Sequence, residues 1–263
     1  MACGGVEVDA DLGRVLAFSH ATEDRCATSL IPFKYGTAVF NDDYPHSWTH
    51  NFLRVDGPRP EASVERLIDD ANRLHHAAGH AHPAVVVEEE ATGARLRPGL
   101  LQRGYEVEPN VIMVRRRPPD RSVDTSIVEK LGFERLTPFL EDYYRSEPYG
   151  DNDEVVRQLV ERGRLTAAAV DVRHFGVSME GRVVSGCDLY TGHGMAQIED
   201  VATLEGYRGR GYARAVITRA LEEAVGANLV FLYAAAEDWP KELYRKLGFE
   251  PIARMYQFTL ANA

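Results

Sequence analysis

The chain has 263 residues, 44% of them hydrophobic, which is enough for one large or two small domains with cores of their own. Its 40 acidic residues outnumber 30 basic ones, and a formal charge of −10 is a poor match to a polyanionic backbone, so nucleic acid is not expected as a partner while cationic amines are tolerated. No apolar run has bilayer-spanning length, and the N-terminus Met-Ala-Cys-Gly-Gly-Val-Glu lacks a basic segment followed by a hydrophobic one, so a cytoplasmic protein without a membrane partner is expected. Cys3, Cys26 and Cys187 are scattered without Cys-x-x-Cys spacing, which reads as reduced structural thiols.

In chain order, the first notable stretch is aromatic: Phe33, Tyr35, Phe40, Tyr44, Trp48 and Phe52, with His46 and His50. It suits either the wall of an acceptor pocket or strand and core. His75, His76, His80 and His82 follow, but Ala77-Ala78-Gly79 stand where the zinc-peptidase helix needs a glutamate, and no metal is expected. Pro83 to Glu89 reads as a strand, with Glu88-Glu89-Glu90 as its solvated end. A short helix with Leu100 and Leu101, then Gly104-Tyr105, then the strand Asn110 to Val114 complete this half. Arg115 to Ser122 breaks the pattern with charge and a Pro-Pro pair, and the expected domains are 1–117 and 118–263.

Past the boundary, Ile127 to Phe133 predicts a strand, and Pro138 to Arg145 and Asp153 to Arg162 predict helices. Val172 to Ser178 and Arg182 to Tyr190 predict a hairpin turning at Glu180-Gly181, and Ile198 to Thr203 continues the sheet. That strand runs into Arg208-Gly209-Arg210-Gly211-Tyr212-Ala213, and then Ala213, Val216, Ile217, Ala220, Leu221 and Ala224 recur at helical spacing. A strand, a glycine turn and a helix N-terminus together present backbone N–H groups and a positive dipole to one point, which suits a pyrophosphate. Arg208 and Arg210 add charge to that point. The nucleoside-triphosphate loop is excluded because its lysine is missing, and the dinucleotide fingerprint because Arg214 occupies its third small position. What fits is Arg/Gln-x-x-Gly-x-Gly/Ala, met by Arg208, Gly211 and Ala213. Downstream, Ala236 to Glu250 places Asp238 as a helix cap, Pro240 in its first turn, and Leu243-Tyr244 ahead of Gly248-Phe249.

These two motifs, in this order and separation, resemble the GCN5-related N-acetyltransferases over roughly residues 125 to 262. The resemblance implies an α/β GNAT fold: a mixed, mostly antiparallel sheet flanked by helices and splayed at its fourth and fifth strands. It implies acetyl-CoA (coenzyme A) as co-substrate, with Val201, Ala202 and Thr203 pairing with the pantetheine arm and Arg208, Gly209, Arg210, Gly211, Tyr212 and Ala213 holding the pyrophosphate. Tyr244 is implied as the acid that protonates the departing thiolate. Glu199 is the preferred base, acting directly or through water, with strand alternation sending Asp200 to the opposite face; Tyr190 and His193 are alternatives. Relatives often carry an asparagine seven residues before the tyrosine, where this chain has Glu237; Asp238 is a substitute for that contact.

Strand, helix, Gly-aromatic pair and strand occur twice, and laying Gly104-Tyr105 on Gly248-Phe249 sets Leu100 against Tyr244. The first copy has no glycine loop. A tandem arrangement follows, with 1–117 a degenerate GNAT-like domain that is structural or substrate-shaping. The expected activity is acetyl transfer to a primary amine of a small molecule by direct attack in a ternary complex, in a monomer or homodimer. Two alternatives stay open, a protein or peptide N-acetyltransferase and a non-catalytic acyl-CoA-binding module.

Overall fold

The structure, a computed structural model, describes residues 3–237 and 240–260. In chain order it comprises α1 (Cys3–Cys26), β1 (Ser29–Phe33), β2 (Gly36–Phe40), β3 (Phe52–Val55), α2 (Val64–Ala77), β4 (Ala84–Val87), α3 (Glu90–Leu101) and β5 (Glu106–Arg115). There follow β6 (Val128–Leu131), α4 (Phe133–Arg145), α5 (Asp153–Ala169), β7 (Asp171–Met179), β8 (Arg182–Gly192), β9 (Met195–Thr203), α6 (Tyr212–Glu223), β10 (Leu229–Ala235), α7 (Pro240–Lys246) and β11 (Phe249–Thr259).

These elements fall into two compact units. The first takes Met1–Thr22, Met113–Tyr233 and Trp239–Glu250; the second takes Glu23–Ile112, Ala234–Asp238 and Pro251–Ala263. A single cut at 117 does not reproduce that partition, because β11 pairs antiparallel with β4, from Tyr256 opposite Val87 to Thr259 opposite Ala84. The pairing commits the residues after Glu250 to the second unit.

In the first unit the strand order is β10-β9-β8-β7-β6, antiparallel throughout except for the parallel β9–β10 pair. The β7–β8 hairpin turns at Glu180 (φ 53°) and Gly181 (φ 81°), the positive-φ pair that matches the twist of adjoining strands. Helix α4 begins five residues before Pro138, which lies inside it, so the proline does not mark the start. Leu136, Phe139, Leu140, Val156 and Val160 of α4 and α5 pack with Leu131, Val183 and Ala202 in one core. Helix α6 packs on β7, β8 and β9 through Ala215, Val216, Ile217, Ala220 and Leu221. Arg214 is buried on it too, paired with Asp120 at 2.6 Å.

The second unit runs β1-β2-β3-β4-β11-β5. Its core holds Tyr35, Phe40, Leu53, Leu67, Val85, Leu96, Leu100 and Phe258, and Phe52 fills a neighbouring cluster. The aromatic stretch is therefore mainly strand and core. His75 is fully buried against Phe40, with ring centroids 4.9 Å apart, and its Nε2 accepts the Ala84 N–H at 3.2 Å. Glu89, expected as a solvated strand end, caps α3 by accepting the N–H groups of Ala91 and Thr92 at 2.9 and 2.7 Å. Gly104 (φ 84°) and Gly248 (φ 95°) take the same left-handed conformation before Tyr105 and Phe249, which matches the two copies in backbone as well as sequence.

Candidate active site

Parallel pairing of β9 with β10 covers Met195 to Gln197, opposite Leu229 to Phe231, and stops there. Strand β9 nevertheless runs on to Thr203 and β10 to Ala235, so the two diverge beyond this point. Divergence leaves backbone groups of β9 on that side without a β10 partner, which suits an extended ligand that carries amides. Val201 and Thr203 are half-buried there and Ala202 is buried. The Ser185 hydroxyl donates to the Ala202 carbonyl at 3.0 Å and bonds the Thr203 hydroxyl at 2.8 Å, fixing this end of the strand from the β8 side.

The divergence leads to the glycine loop. Gly209 and Gly211 have φ of 76° and 86°, and a Cβ added at either would meet nothing within 4 Å. Glycine is needed there for backbone conformation and not for space. Gly211 is the N-cap of α6 and offers no side chain, so the first-turn N–H groups of that helix face outward uncapped. Arg208 donates to the Thr203 carbonyl at 3.1 Å, and Arg210 donates to the Gly206 carbonyl at 3.0 Å while lying 5.2 Å over the Tyr207 ring. Both arginines are exposed but tied to their own loop, so they brace it as well as charge it. Tyr212 and Ala213 are half-buried in the first turn of α6, and the Tyr212 hydroxyl reaches Met179 Sδ at 3.5 Å.

Strand β9 is bulged. Gly186 opposite Ala202 is followed by Asp188 opposite Glu199, so Asp200 and Val201 together face the single residue Cys187. Asp200 has φ of 49°, a conformation that aspartate tolerates better than most side chains. The bulge corrects the expectation from alternation: Asp200 does not turn away from the charges around Glu199. Arg162 of α5 donates to Asp200 Oδ1 at 3.3 Å and to the Tyr144 hydroxyl of α4 at 3.0 Å. Gln197 donates to Glu199 Oε2 at 2.6 Å. On the adjoining strands, His174 Nδ1 and Asp188 Oδ1 are 2.7 Å apart, and both side chains are buried.

The cluster shifts its own ionisation. Burial, then the charge of Asp200 and more weakly that of Asp188, push Glu199 up to about 8 against the hydrogen bond of Gln197 and the charge of Arg162. Burial also raises Asp188, with the His174 bond pulling the other way. Burial would lower His174, but the hydrogen bond and charge of Asp188, with the charge of Asp200, outweigh it and hold the imidazole above its usual range. Tyr190 is buried on β8 and raised well above the ordinary phenol by burial and by Asp200, Asp188 and Glu199.

His193 is exposed in the turn before β9, at φ of 51°, about 20 Å along the strand from Glu199. It stands at the opposite end of the strand from the loop. Tyr244 is buried on α7 with its ring 6.3 Å from that of Phe249, edge to face. Glu237 is exposed and lies 3.8 Å from Arg97. Asp238, expected as a helix cap and substitute contact, lies outside the described residues, as does the side chain of Cys3. Cys26 and Cys187 are both buried.

Tyr144, Arg162, His174 and Asp188 had no place in the sequence reading. One signal was present: Asp188 is the one charged residue in the stretch from Val183 to Tyr190, and the structure buries that whole stretch.

Residues 136–249 match the family model described as Acetyltransferase (GNAT) family. That part of the chain is a GNAT domain. Solved structures of low identity share the fold. A functionally unknown conserved protein from Staphylococcus epidermidis ATCC 12228 superposes with a TM-score of 0.70 at 14% identity, covering 89% of this chain and 94% of that one. A GCN5-related N-acetyltransferase from Kribbella flavida gives 0.59 at 16%, covering 100% and 97%. A tandem GNAT protein from the clavulanic acid biosynthesis pathway gives 0.51 at 16%, covering 78% and 74%. At these identities the likeness is one of fold. No curated protein matches the chain. GNAT acetyltransferases generally use acetyl-CoA, and the diverging strands and uncapped helix of this domain fit such a donor. Among the described residues, no helix is long and apolar enough to cross a membrane.

Proposed function

We propose that the GNAT domain transfers an acetyl group from acetyl-CoA to the primary amine of a small molecule, by direct attack in a ternary complex. The observation that carries this reading is the position of Glu199: a half-buried carboxyl beside a bulge, on the strand that diverges from its neighbour and ends in the glycine loop. Val201, Ala202 and Thr203 would pair with the pantetheine arm, and Arg208 to Ala213 would hold the pyrophosphate. An amine is largely protonated in water and must lose a proton before it attacks the thioester carbon. Glu199, raised to about 8, is matched to take that proton. As the new C–N bond forms and the C–S bond breaks, the thiolate takes a proton from the Tyr244 hydroxyl.

Two measurements test the reading. Saturating acetyl-CoA is expected to raise the melting temperature of the full chain, and a screen of small amines, antibiotics and peptides is expected to find acceptors that release free thiol. No melting shift overturns the proposal. Tyr244→Phe is expected to lower kcat about 100-fold and leave acetyl-CoA affinity nearly unchanged. Equal losses in both would make the tyrosine structural. The second reading, a module that binds acyl-CoA without transfer, is favoured by Glu237, which pairs with Arg97 and cannot donate as an amide does. Bound acetyl-CoA with no thiol release from any amine would support it. Peptides among the thiol-releasing acceptors would point to protein acetylation instead.

A further inference from the structure

His174, Asp188 and Glu199 stand in one row across three strands. His174 on β7 is the register partner of Asp188 on β8, and Asp188 is in turn the partner of Glu199 on β9. Side chains of directly opposed residues lie on the same face with Cβ atoms about 5 Å apart. The imidazole and the Asp188 carboxylate close to 2.7 Å, each less than a tenth exposed. A buried carboxylate is costly as an anion unless a partner neutralises it, and a buried imidazolium is costly for the same reason. Joined by a short charge-assisted bond, the two offset each other.

The other groups facing Glu199 have partners of their own. Asp200 is engaged by Arg162 of α5, which also bonds Tyr144 of α4; Gln197 of β9 donates to Glu199 itself; Tyr190 of β8 stays a neutral phenol. Asp188 is thus the charge next to Glu199 that no residue of α4, α5 or β9 hydrogen-bonds in the described structure; its hydrogen-bonded cation is His174 of β7, and the charge of Arg162 acts on it without a bond.

We propose that this row works as a unit: His174 keeps Asp188 anionic, and Asp188, adding to Asp200, helps Glu199 hold a proton firmly enough to accept it from a protonated acceptor amine. His174 and Asp188 are positioning residues that act through Glu199. The proposal rests on Glu199 being the base.

The test is a side-chain carboxyl carbon-13 NMR titration of the unliganded full chain, with Glu199 assigned through E199Q. D188N removes a neighbouring negative charge, so the Glu199 midpoint is expected to fall, by less than it falls in D200N, and the His174 ring titration is expected to fall with it. A role in packing alone would move neither. H174Q is the complementary variant should D188N not fold: it removes the cation, and the Asp188 midpoint is expected to rise. A folded D188N with an unchanged Glu199 midpoint, or a folded H174Q with an unchanged Asp188 midpoint, overturns the proposal. The underlying reading fails separately. If E199Q acetylates amines at the wild-type rate, Glu199 is not the base, whatever the titrations show.

Discussion

The β9–β10 pair of the first unit and the β3–β4 pair of the second are both parallel, yet they end differently. Pairing of β9 with β10 stops at Gln197 and β9 continues for six more residues, to Thr203. Pairing of β3 with β4 runs to Val55 and Val87, the last residues of both strands, and the Glu88 N–H then bonds the Val55 carbonyl at 3.4 Å. The following segments differ in the same sense. After β9 come Gly209 and Gly211 and an uncapped helix; after β3 come Arg59 and Ser63, and Ser63 caps α2 by accepting the Arg66 N–H at 3.3 Å. Arg95 closes the second segment by donating to the Ala62 and Arg59 carbonyls at 2.7 and 2.8 Å. Where Tyr244 stands on α7, the matching Leu100 on α3 is a core residue. A strand pair that zips to its end and a helix that caps itself have no backbone groups to spare for a ligand; stopping short and capping with glycine leaves them available.

The largest effect that breaks this contrast is at Glu199. E199Q is expected to lower kcat by about 10²- to 10⁴-fold. Wild-type kcat/KM should rise with pH toward a plateau above about 8, as Glu199 sheds its proton, and the variant should lose that limb.

Acid should separate the two units. Burial lowers His75 of the second unit to about 4, so the folded form excludes a proton that the unfolded chain binds near 6.5. Its contribution is present above pH 6.5 and is lost as pH falls toward 4, up to about 3 kcal/mol. His174 of the first unit is raised, so its contribution is full below 6.5 and is lost as pH rises through its folded value. Hydrogen exchange at pH 5 is expected to show the second unit opening first; earlier opening of the first unit would contradict this assignment of signs.

A smaller effect is expected from Gly211→Val, which forces a β-branched residue to φ of 86°. It should remove the stabilisation by acetyl-CoA, about 2.7 kcal/mol at one hundred times Kd, as read from the melting temperature. The smallest is Ser63→Gly, which uncaps α2. A few tenths of a kcal/mol are expected, with no gain of acetyl-CoA binding at the second unit, because β3 and β4 stay zipped. A second acetyl-CoA equivalent by calorimetry would show that the cap alone kept that segment closed.

Much of this contrast was legible in the sequence. The glycine loop, the helix that follows it and the Gly-aromatic pairs are local patterns, read from a few adjacent residues whose backbone needs are specific. The bulge was not legible, since nothing in Glu199-Asp200-Val201 announces a left-handed aspartate, and without it alternation sends Asp200 the wrong way. The row of His174, Asp188 and Glu199 was hidden for a related reason: register joins residues 14 and 11 positions apart, and a sequence alone does not print register. Helix starts suffered from relying on one residue, as Pro138 shows by lying inside α4.

The pairing of β11 with β4 has a consequence for the order of events during synthesis. The four partner residues of β4, Ala84 to Val87, leave the ribosome about 170 residues before those of β11, Thr259 to Tyr256. Until then one side of β4 is an unpaired edge, the kind of surface that recruits strands from other chains. The second unit is encoded mostly in the first half of the chain and is finished last, so a truncation after Glu250 would strike the N-terminal half of the sequence hardest.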